Sequence, residues 1–441
     1  VKRRLLATFI QIEILVGLVG GCSCAILFLS FAEVQSFRLI LYGLVGIIGF
    51  LVGMEIPLLM RILKDQLKFS DLISKVLSLD YLGALVASIL FPLILVPKLG
   101  LIRSSFAFGI ANVLVAMIAI RIFRGALGPG KGLSTQAILV VLGLSAGFIY
   151  SNKLMNLSEQ RLFVDAVIFS KTSPYQRIVV TKGPNETRLY LNGHLQFSSF
   201  DEYRYHEALV HPGLSAVTTP HRVLVLGGGD GLAVREVLRD PRVQEITLVD
   251  LDPEMTKLFR DNDALAQMNQ YALRSPKVTI QNADAFRWLE ENTGLFDFIA
   301  IDFPDPSTFS LGKLYTTTFY RILQKRLAPG GNIVVQSTSP LFARQSFWCI
   351  VETIRNSGLQ PTPFHVYVPS FGEWGFVIAT KGTYQLPKQY PEGLTFLNTD
   401  IAPSLFEFPN DMSKVEAEPN KLSSQILVQY YDREWRKLSA Q

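Results

Sequence analysis

The stretch 223–252 limits what this chain can fold into more than any other part of it. Residues 223–226, Val-Leu-Val-Leu, make a short apolar run of the kind that forms a buried parallel strand. The run enters Gly227-Gly228-Gly229-Asp230-Gly231, where missing side chains permit a tight turn and a close approach of backbone to ligand. Residues 232–238 then read as a helix whose free N-terminal amides face that ligand. A second apolar strand over 246–249 ends in Asp250, about twenty residues on, where an acid can hold ribose hydroxyls. A glycine turn alone makes many ordinary loops. Strand, glycines, helix, strand and acid in this order point to a nucleoside site.

The alternation continues to the end of the sheet. The pattern predicts a helix over 253–262, a strand over 278–281 leading to Asp284 and Ala285, and a helix over 286–291. A strand over 296–301 runs into Asp302-Phe303-Pro304-Asp305-Pro306. A helix near 319–327, a Pro329-Gly330-Gly331 turn, a strand over 332–336, a helix over 347–357 and strands over 362–368 and 375–379 complete it. This is a doubly wound sheet, in which ligands bind beyond the carboxyl ends of the strands. Asp230, Asp250, Asp284 and Asp302 all fall at or just after such ends. Ahead of the sheet, 173–180 and 187–197 read as two strands joined through Gly183-Pro184-Asn185, and 201–211 begins a helix.

The first third is different. Apolar segments cover 9–31, 39–60, 79–96, 102–122 and 137–150. The first four are long enough for a bilayer core of ~30 Å, which needs about 20 helical residues; the fifth is short, an interfacial or tilted segment. A cleavable signal peptide does not explain so many segments, and the absence of an initial methionine leaves room for segments upstream. Glu13, Glu55 and Asp80 lie in or beside these runs, where an acid by default marks a polar pathway and otherwise bonds helix to helix. Gly43, Gly46, Gly49 and Gly53 recur on one face and read as close-packing positions.

If every segment spans, Lys2, Arg3, Arg4, Arg61, Lys64, Lys68, Lys75, Arg121, Arg124 and Lys131 share one side. The positive-inside rule makes that side cytoplasmic and puts the C-terminal part outside. A nucleoside-dependent enzyme draws on the cytoplasmic pool, so a non-spanning fifth segment reconciles the two. The expectation is a multi-pass cell-membrane protein with a cytoplasmic catalytic half.

The fold class is thus an α-helical multi-pass membrane segment followed by α/β, a small antiparallel β unit plus a Rossmann-like doubly wound sheet. Its divisions are 1–155 (membrane helices), 156–212 (β unit), 213–385 (Rossmann-like domain) and 386–441 (an extension packing on it). A net charge of +5 with scattered basic residues argues against nucleic acid as a partner. Cys22, Cys24 and Cys349 form no disulfide framework, and the five histidines show no metal-ligand spacing. Many acids without a metal cluster suggest a cationic ligand. Asp302 and Asp305, stiffened by Pro304 and Pro306, can grip ammonium groups, and one of them can take a proton from an attacking amine.

Tyr175-Gln176-Arg-Ile, Leu191-Asn-Gly-His-Leu-Gln196, Asp201-Glu-Tyr-Arg-Tyr-His-Glu207, Gly227-Gly-Gly-Asp-Gly231, Val249-Asp-Leu-Asp252 and Asp302-Phe-Pro-Asp-Pro306 occur in this order. In them the chain resembles the spermidine synthases, the polyamine aminopropyltransferases, from about Glu159 onward, with a membrane half like that of membrane-anchored bacterial homologues. The resemblance implies transfer of an aminopropyl group from the co-substrate decarboxylated S-adenosylmethionine to an amine such as putrescine, releasing methylthioadenosine. It implies Asp302 as proton acceptor. It assigns Gln176, Gln196, Gly227, Gly229, Asp250, Asp284 and Ala285 to the nucleoside side, and Tyr205, His206, Asp230, Asp302, Phe303, Pro304 and Asp305 to the amine side. Asp230 would repel the carboxylate of ordinary S-adenosylmethionine. The β unit is where related enzymes dimerise.

Two departures fall near the amine. The family's Pro-Thr-Tyr-Pro-x-Gly-x-Trp is here Pro369-Ser370-Phe371-Gly372-Glu373-Trp374, with phenylalanine in place of the tyrosine, and Phe309 replaces a proline. The alternatives are an S-adenosylmethionine methyltransferase and a non-catalytic membrane polyamine sensor or transporter.

Overall fold

The computed structural model describes residues 2–31, 37–63, 69–127 and 131–439; Lys64 and Lys68 of the basic set lie outside them. The chain divides into two compact units, Val1–Val167 and Ile168–Gln441.

The first unit is helical: α1 (Lys2–Phe31), α2 (Phe37–Leu63), α3 (Phe69–Leu90), a π-helical turn (Phe91–Leu95), α4 (Val96–Ile122), α5 (Arg124–Leu127) and α6 (Lys131–Leu162). Among the described residues, five helices are long and apolar enough to cross a membrane, including Gly132–Met155. That corrects the expectation of a short fifth segment. Once the apolar stretch nucleates a helix, the flanking Ser, Thr, Gln and Asn extend it at little cost.

Ile10, Phe106, Val113 and Leu144 form the centre of a core shared by α1, α4 and α6. The close-packing glycines are Gly17, Gly21, Gly109 and Gly147, not the four expected on α2. A Cβ on Gly109 would meet the Gly17 carbonyl at 2.5 Å, whereas Gly43, Gly46, Gly49 and Gly53 have nothing within 4 Å. Periodicity shows that glycines share a face but not which neighbour that face meets. Glu13 is buried in α1, and Asp80 is exposed on α3.

The second unit opens with a four-stranded sheet, β1 (Ala166–Thr172), β2 (Arg177–Lys182), β3 (Thr187–Leu191) and β4 (His194–Ser198), in sequence order. The single strand expected over 187–197 is in fact a hairpin. Asn192 and Gly193 hold φ of 52° and 84°, and two positive φ values are what a tight Asn-Gly hairpin turn requires. Residues 173–176, expected as strand, form a turn closed by Ser173 N–H donating to the Gln176 carbonyl at 2.9 Å.

The larger sheet uses β5 (Arg222–Gly227), β6 (Glu245–Asp250), β7 (Val278–Asn282), β8 (Phe296–Asp302), β9 (Leu327–Gln336), β10 (Gln360–Val368) and β11 (Gly372–Thr380). Its order is β10-β11-β9-β8-β5-β6-β7. β5 to β9 are mutually parallel, but β11 runs antiparallel between β9 and β10. The doubly wound sheet thus carries an antiparallel strand at this edge: the short 369–371 link can only fold back as a hairpin, because a parallel crossover needs a dozen or more residues.

Side chains alternate into two cores. Val223, Val225, Phe298 and Val334 point to one face; Leu224, Leu226, Ile299, Ile301 and Val335 point to the other. Helices cover both: α7 (Glu202–Leu214), α8 (Leu232–Leu238), α9 (Pro253–Asp261), α10 (Asp263–Ala266), α11 (Ala285–Glu291), α12 (Phe309–Gly312), α13 (Thr317–Arg326), α14 (Arg344–Asn356) and α15 (Ile426–Ser439).

The segment after β11 is held by buried polar groups. The Glu207 carboxylate accepts from the backbone N–H groups of Thr395, Phe396 and Leu397 at 2.7 to 2.9 Å. The Asn420 amide donates to the carbonyls of Gly312 and Tyr315 at 3.1 and 3.0 Å. Glu434 on α15 accepts from Gln345 N–H and Ser346 N–H in the first turn of α14, at 2.7 and 3.1 Å. These bonds fix α15 against the carboxyl rim of the sheet.

Candidate active site

Parallel pairing of β5 with β8 places Gly227 opposite Asp302. Gly227, Gly228 and Gly231 have φ of 79°, 66° and 78°, so this turn depends on glycine. A Cβ on Gly227 would lie 2.2 Å from the Asp302 carbonyl oxygen, and one on Gly228 would lie 3.0 Å from Asp302 Oδ2. Glycine here keeps one carboxylate oxygen approachable. The other, Oδ1, accepts a hydrogen bond from Tyr205 Oη at 2.5 Å. Burial pushes Asp302 above its ordinary value, opposed by the His206 charge and the Tyr205 bond.

Asp230 and His206 stand beside this carboxylate. Burial carries Asp230 up to about 6, with His206 pulling it down and Asp302 adding to the rise. Burial would depress His206, yet its bond to Glu202 and the nearby acids carry it up to about 9. His206 Nδ1 donates to Glu202 Oε2 at 2.7 Å, and Arg235 donates to both Glu202 oxygens at 2.8 and 3.0 Å. Burial opposes charge on Glu202, but these two partners hold it down at about 2. A fixed positive charge therefore faces Asp230 and Asp302 at neutral pH.

On the other side of the glycines, Asp250 Oδ2 accepts from Gly229 N–H at 3.1 Å and Oδ1 from Asp252 N–H at 2.8 Å. Burial raises Asp250 to about 7 even so. Asp252 accepts from Gln176 Nε2 at 3.0 Å and Ser173 Oγ at 2.6 Å, so the β2 turn is bonded to this rim. Asp284 caps α11 through Phe286 N–H at 2.9 Å and pairs with Lys313 Nζ at 2.5 Å. Against the cost of burial, Lys313 holds Asp284 below the usual carboxylate range. Ala285 is buried at the start of the same helix.

Asp305 forms the outer end of the acidic row. Its Oδ2 accepts from Thr338 Oγ1 and Tyr431 Oη, each at 3.0 Å. Gln336 Nε2 donates to the Phe303 carbonyl, and Tyr315 Oη donates to the Pro304 carbonyl at 3.1 Å. The Phe303-Pro304 backbone is therefore held from below, with the Phe303 ring packed on Tyr315 and Phe319. Thr338 holds φ of 56°, a strain of about 1–3 kcal/mol for a β-branched residue, and in that conformation its hydroxyl meets Asp305.

The structure thus brings together Tyr205, His206, Gly227, Gly229, Asp230, Asp250, Asp302, Phe303, Pro304 and Asp305, with Gln176, Asp284 and Ala285 on the same rim. It does not join Gln196 to them. That residue falls at a bulge between Leu189 and Tyr190 pairings, and its amide donates to His194 and Leu195 carbonyls of its own strand. From the same motif it is His194 whose charge acts on Asp305. Phe371 lies 6.4 Å from the Tyr205 ring and 5.2 Å from Trp374, in a loop anchored by Asp201 accepting from Ser370 N–H at 2.6 Å. Sequence reasoning missed Arg235, Lys313, Gln336, Thr338 and Tyr431, and gave no role to Glu202 and Asp252 although both stand in the quoted motifs. Gln336 was within reach, because it ends β9 on the rim that already held the acids.

A model of the spermine/spermidine synthase domain matches residues 202–390. The chain is 53% identical over 437 residues to a polyamine aminopropyltransferase of Leptospira interrogans, across 99% of this chain and 88% of that one. Identity to polyamine aminopropyltransferase 2 of Ralstonia nicotianae is 51%, across 98% of this chain and 86% of the relative. A crystal structure of spermidine synthase in complex with the transition state analogue AdoDATO is similar at a TM-score of 0.52 and 25% identity, over 56% of this chain and 86% of that chain. Fold and rim together define a nucleoside-dependent transferase whose second substrate is a cation. The chain belongs to the spermine/spermidine synthase family, the polyamine aminopropyltransferases, which use decarboxylated S-adenosylmethionine as co-substrate.

The raised acids set a pH dependence. A carboxylate with an elevated pKa stays neutral to higher pH, so grip on a cationic acceptor is lost as pH falls through that value. With Asp230 at about 6, kcat/KM for the amine should rise with pH through this region. In Asp230→Asn the plateau should fall and the limb move to lower pH, because Asp302 loses a neighbouring negative charge. A profile flat from about pH 5 to about pH 8 would contradict this reading.

Proposed function

We propose that this chain transfers the aminopropyl group of decarboxylated S-adenosylmethionine to a diamine such as putrescine, giving spermidine and methylthioadenosine, with Asp302 as the base. The observation that carries it is the geometry of Asp302, one oxygen held by Tyr205 and the other left open by Gly228. The acceptor arrives as an ammonium ion and gives a proton to Asp302. Its freed lone pair attacks the aminopropyl carbon bonded to the sulfonium. The C–S bond breaks, its electrons return to sulfur, and a neutral thioether leaves.

Asp250 and Asp284 take the nucleoside side in this reading, while Asp230, Asp302 and Asp305 grip the cationic acceptor. Holding both reactants in line supplies much of the rate. Asp230 also disfavours a carboxylate on the co-substrate, which weighs against methyl transfer from S-adenosylmethionine. Asp302→Asn should cut kcat by about a hundredfold or more, the usual cost of losing a general base, with nucleoside affinity largely kept. Turnover near that of the unmutated enzyme would overturn the assignment.

The bilayer is the further partner in this reading, supported by the five long apolar helices among the described residues, with the catalytic unit on the cytoplasmic side, in reach of the cytoplasmic nucleoside pool. A second copy joined through β1–β4 is also part of it, supported by the exposed Ile168 and Phe200. The basic residues favour the opposite orientation if all five helices cross. With the unit on the cytoplasmic side, protease added to sealed inside-out vesicles should cleave it, and detergent-extracted protein should contain two chains per particle. Protection in these vesicles, with cleavage in right-side-out ones, would place the unit outside.

A further inference from the structure

The family match ends at residue 390, yet a side chain of α15 reaches the acceptor acids. Tyr431 Oη and Thr338 Oγ1 both donate to Asp305 Oδ2 at 3.0 Å. Among the described residues, Oδ1 keeps only a long contact with Gln336 Nε2, at 3.4 Å. Two hydroxyls therefore occupy one oxygen and fix the carboxylate rotamer, leaving the second oxygen with most of its accepting capacity. Asp305 belongs to the same rigid loop as Asp302, the proposed base.

The helix that carries Tyr431 is closely seated. Glu434 bonds the first turn of α14, and the Asn420 side chain ties the segment before α15 to the carbonyls of Gly312 and Tyr315. A Cβ on Gly312 would lie 2.5 Å from Val428 Cγ2, so α12 touches α15 directly. One turn beyond Tyr431, the Trp435 ring packs at 5.7 Å and braces it. Phe371, whose ring lies 6.4 Å from that of Tyr205, has no hydroxyl to offer.

We propose that Tyr431, carried by the C-terminal helix, is a positioning residue for the acceptor: it fixes Asp305 so that Oδ1 meets an ammonium group, and so sets amine affinity. The inference rests on the reading of Asp305 as an acceptor contact. Other titratable groups act on Asp305 or are acted on by it: His194 from β4, Tyr205 from α7 and Tyr315 ahead of α13. None of them shares the Tyr431 oxygen contact.

The test is steady-state kinetics of the full-length protein in detergent, with putrescine as the varied amine. Tyr431→Phe removes one hydroxyl from a partly exposed ring and leaves the contact with Trp435. It should raise KM for the amine about tenfold or more, the loss of a hydrogen bond to a charged group, with kcat and the KM for the nucleoside co-substrate little changed. The acid limb of kcat/KM should move to higher pH, because Asp305 loses a donor that favours its charged form. In the Asp305→Asn background the same change should have no further effect. An unchanged KM, or an equal effect in both backgrounds, would overturn the proposal. If the unmutated protein transfers no aminopropyl group at all, the functional reading fails instead.

Discussion

The pairing of β5 with β8 is the constraint on which the rest of the site depends. It sets Gly227 opposite Asp302 so tightly that a Cβ would lie 2.2 Å from the Asp302 carbonyl oxygen. Because both strands are buried on both faces, register cannot slip by one residue without exchanging the two cores. Position of the base is thus a consequence of packing. Asp230 and Asp250 follow from the same turn, one on each side of the glycines. A larger residue at 227 would push β8 away and move the base with it.

Several recessed carboxylates on one rim are costly, and the protein does not neutralise them all. Arg235, buried among Glu202, Glu236 and the Met268 carbonyl, anchors a chain of charge that ends at His206. This keeps one positive group facing Asp230 and Asp302. The remaining acids are left with raised affinity for protons, which is the same property as affinity for a cationic substrate. Burying charge without a full set of partners weakens the fold locally and prepares the site for its ligand. The hydroxyls of Tyr205, Thr338 and Tyr431 then decide which oxygen of each acid stays available.

Much of this was legible in the sequence. Short apolar runs bounded by turn residues placed β5 to β8 and their helices within a residue or two, and the strand-end rule placed Asp230, Asp250, Asp284 and Asp302. What was not legible has physical causes. Asn192-Gly193 lies inside an otherwise continuous strand pattern, and reading the run as one strand overlooked a turn that needs only two residues. The β11 reversal depends on the length of a loop rather than on any residue in it. The α2 glycines share a face, but the contact partners of a helix face are a tertiary property. Tyr431 is the extreme case: it is remote in sequence from Asp305, and only folding brings the two together.

In the proposed reaction the rim presents a nucleophilic amine to the aminopropyl carbon of a sulfonium nucleoside. Mass spectrometry of the products tests it most directly, with full-length protein given decarboxylated and ordinary S-adenosylmethionine in turn and a panel of amines. The expected products are an aminopropylated amine and methylthioadenosine in equal amounts, formed only from the decarboxylated nucleoside. A methylated amine together with S-adenosylhomocysteine would contradict it.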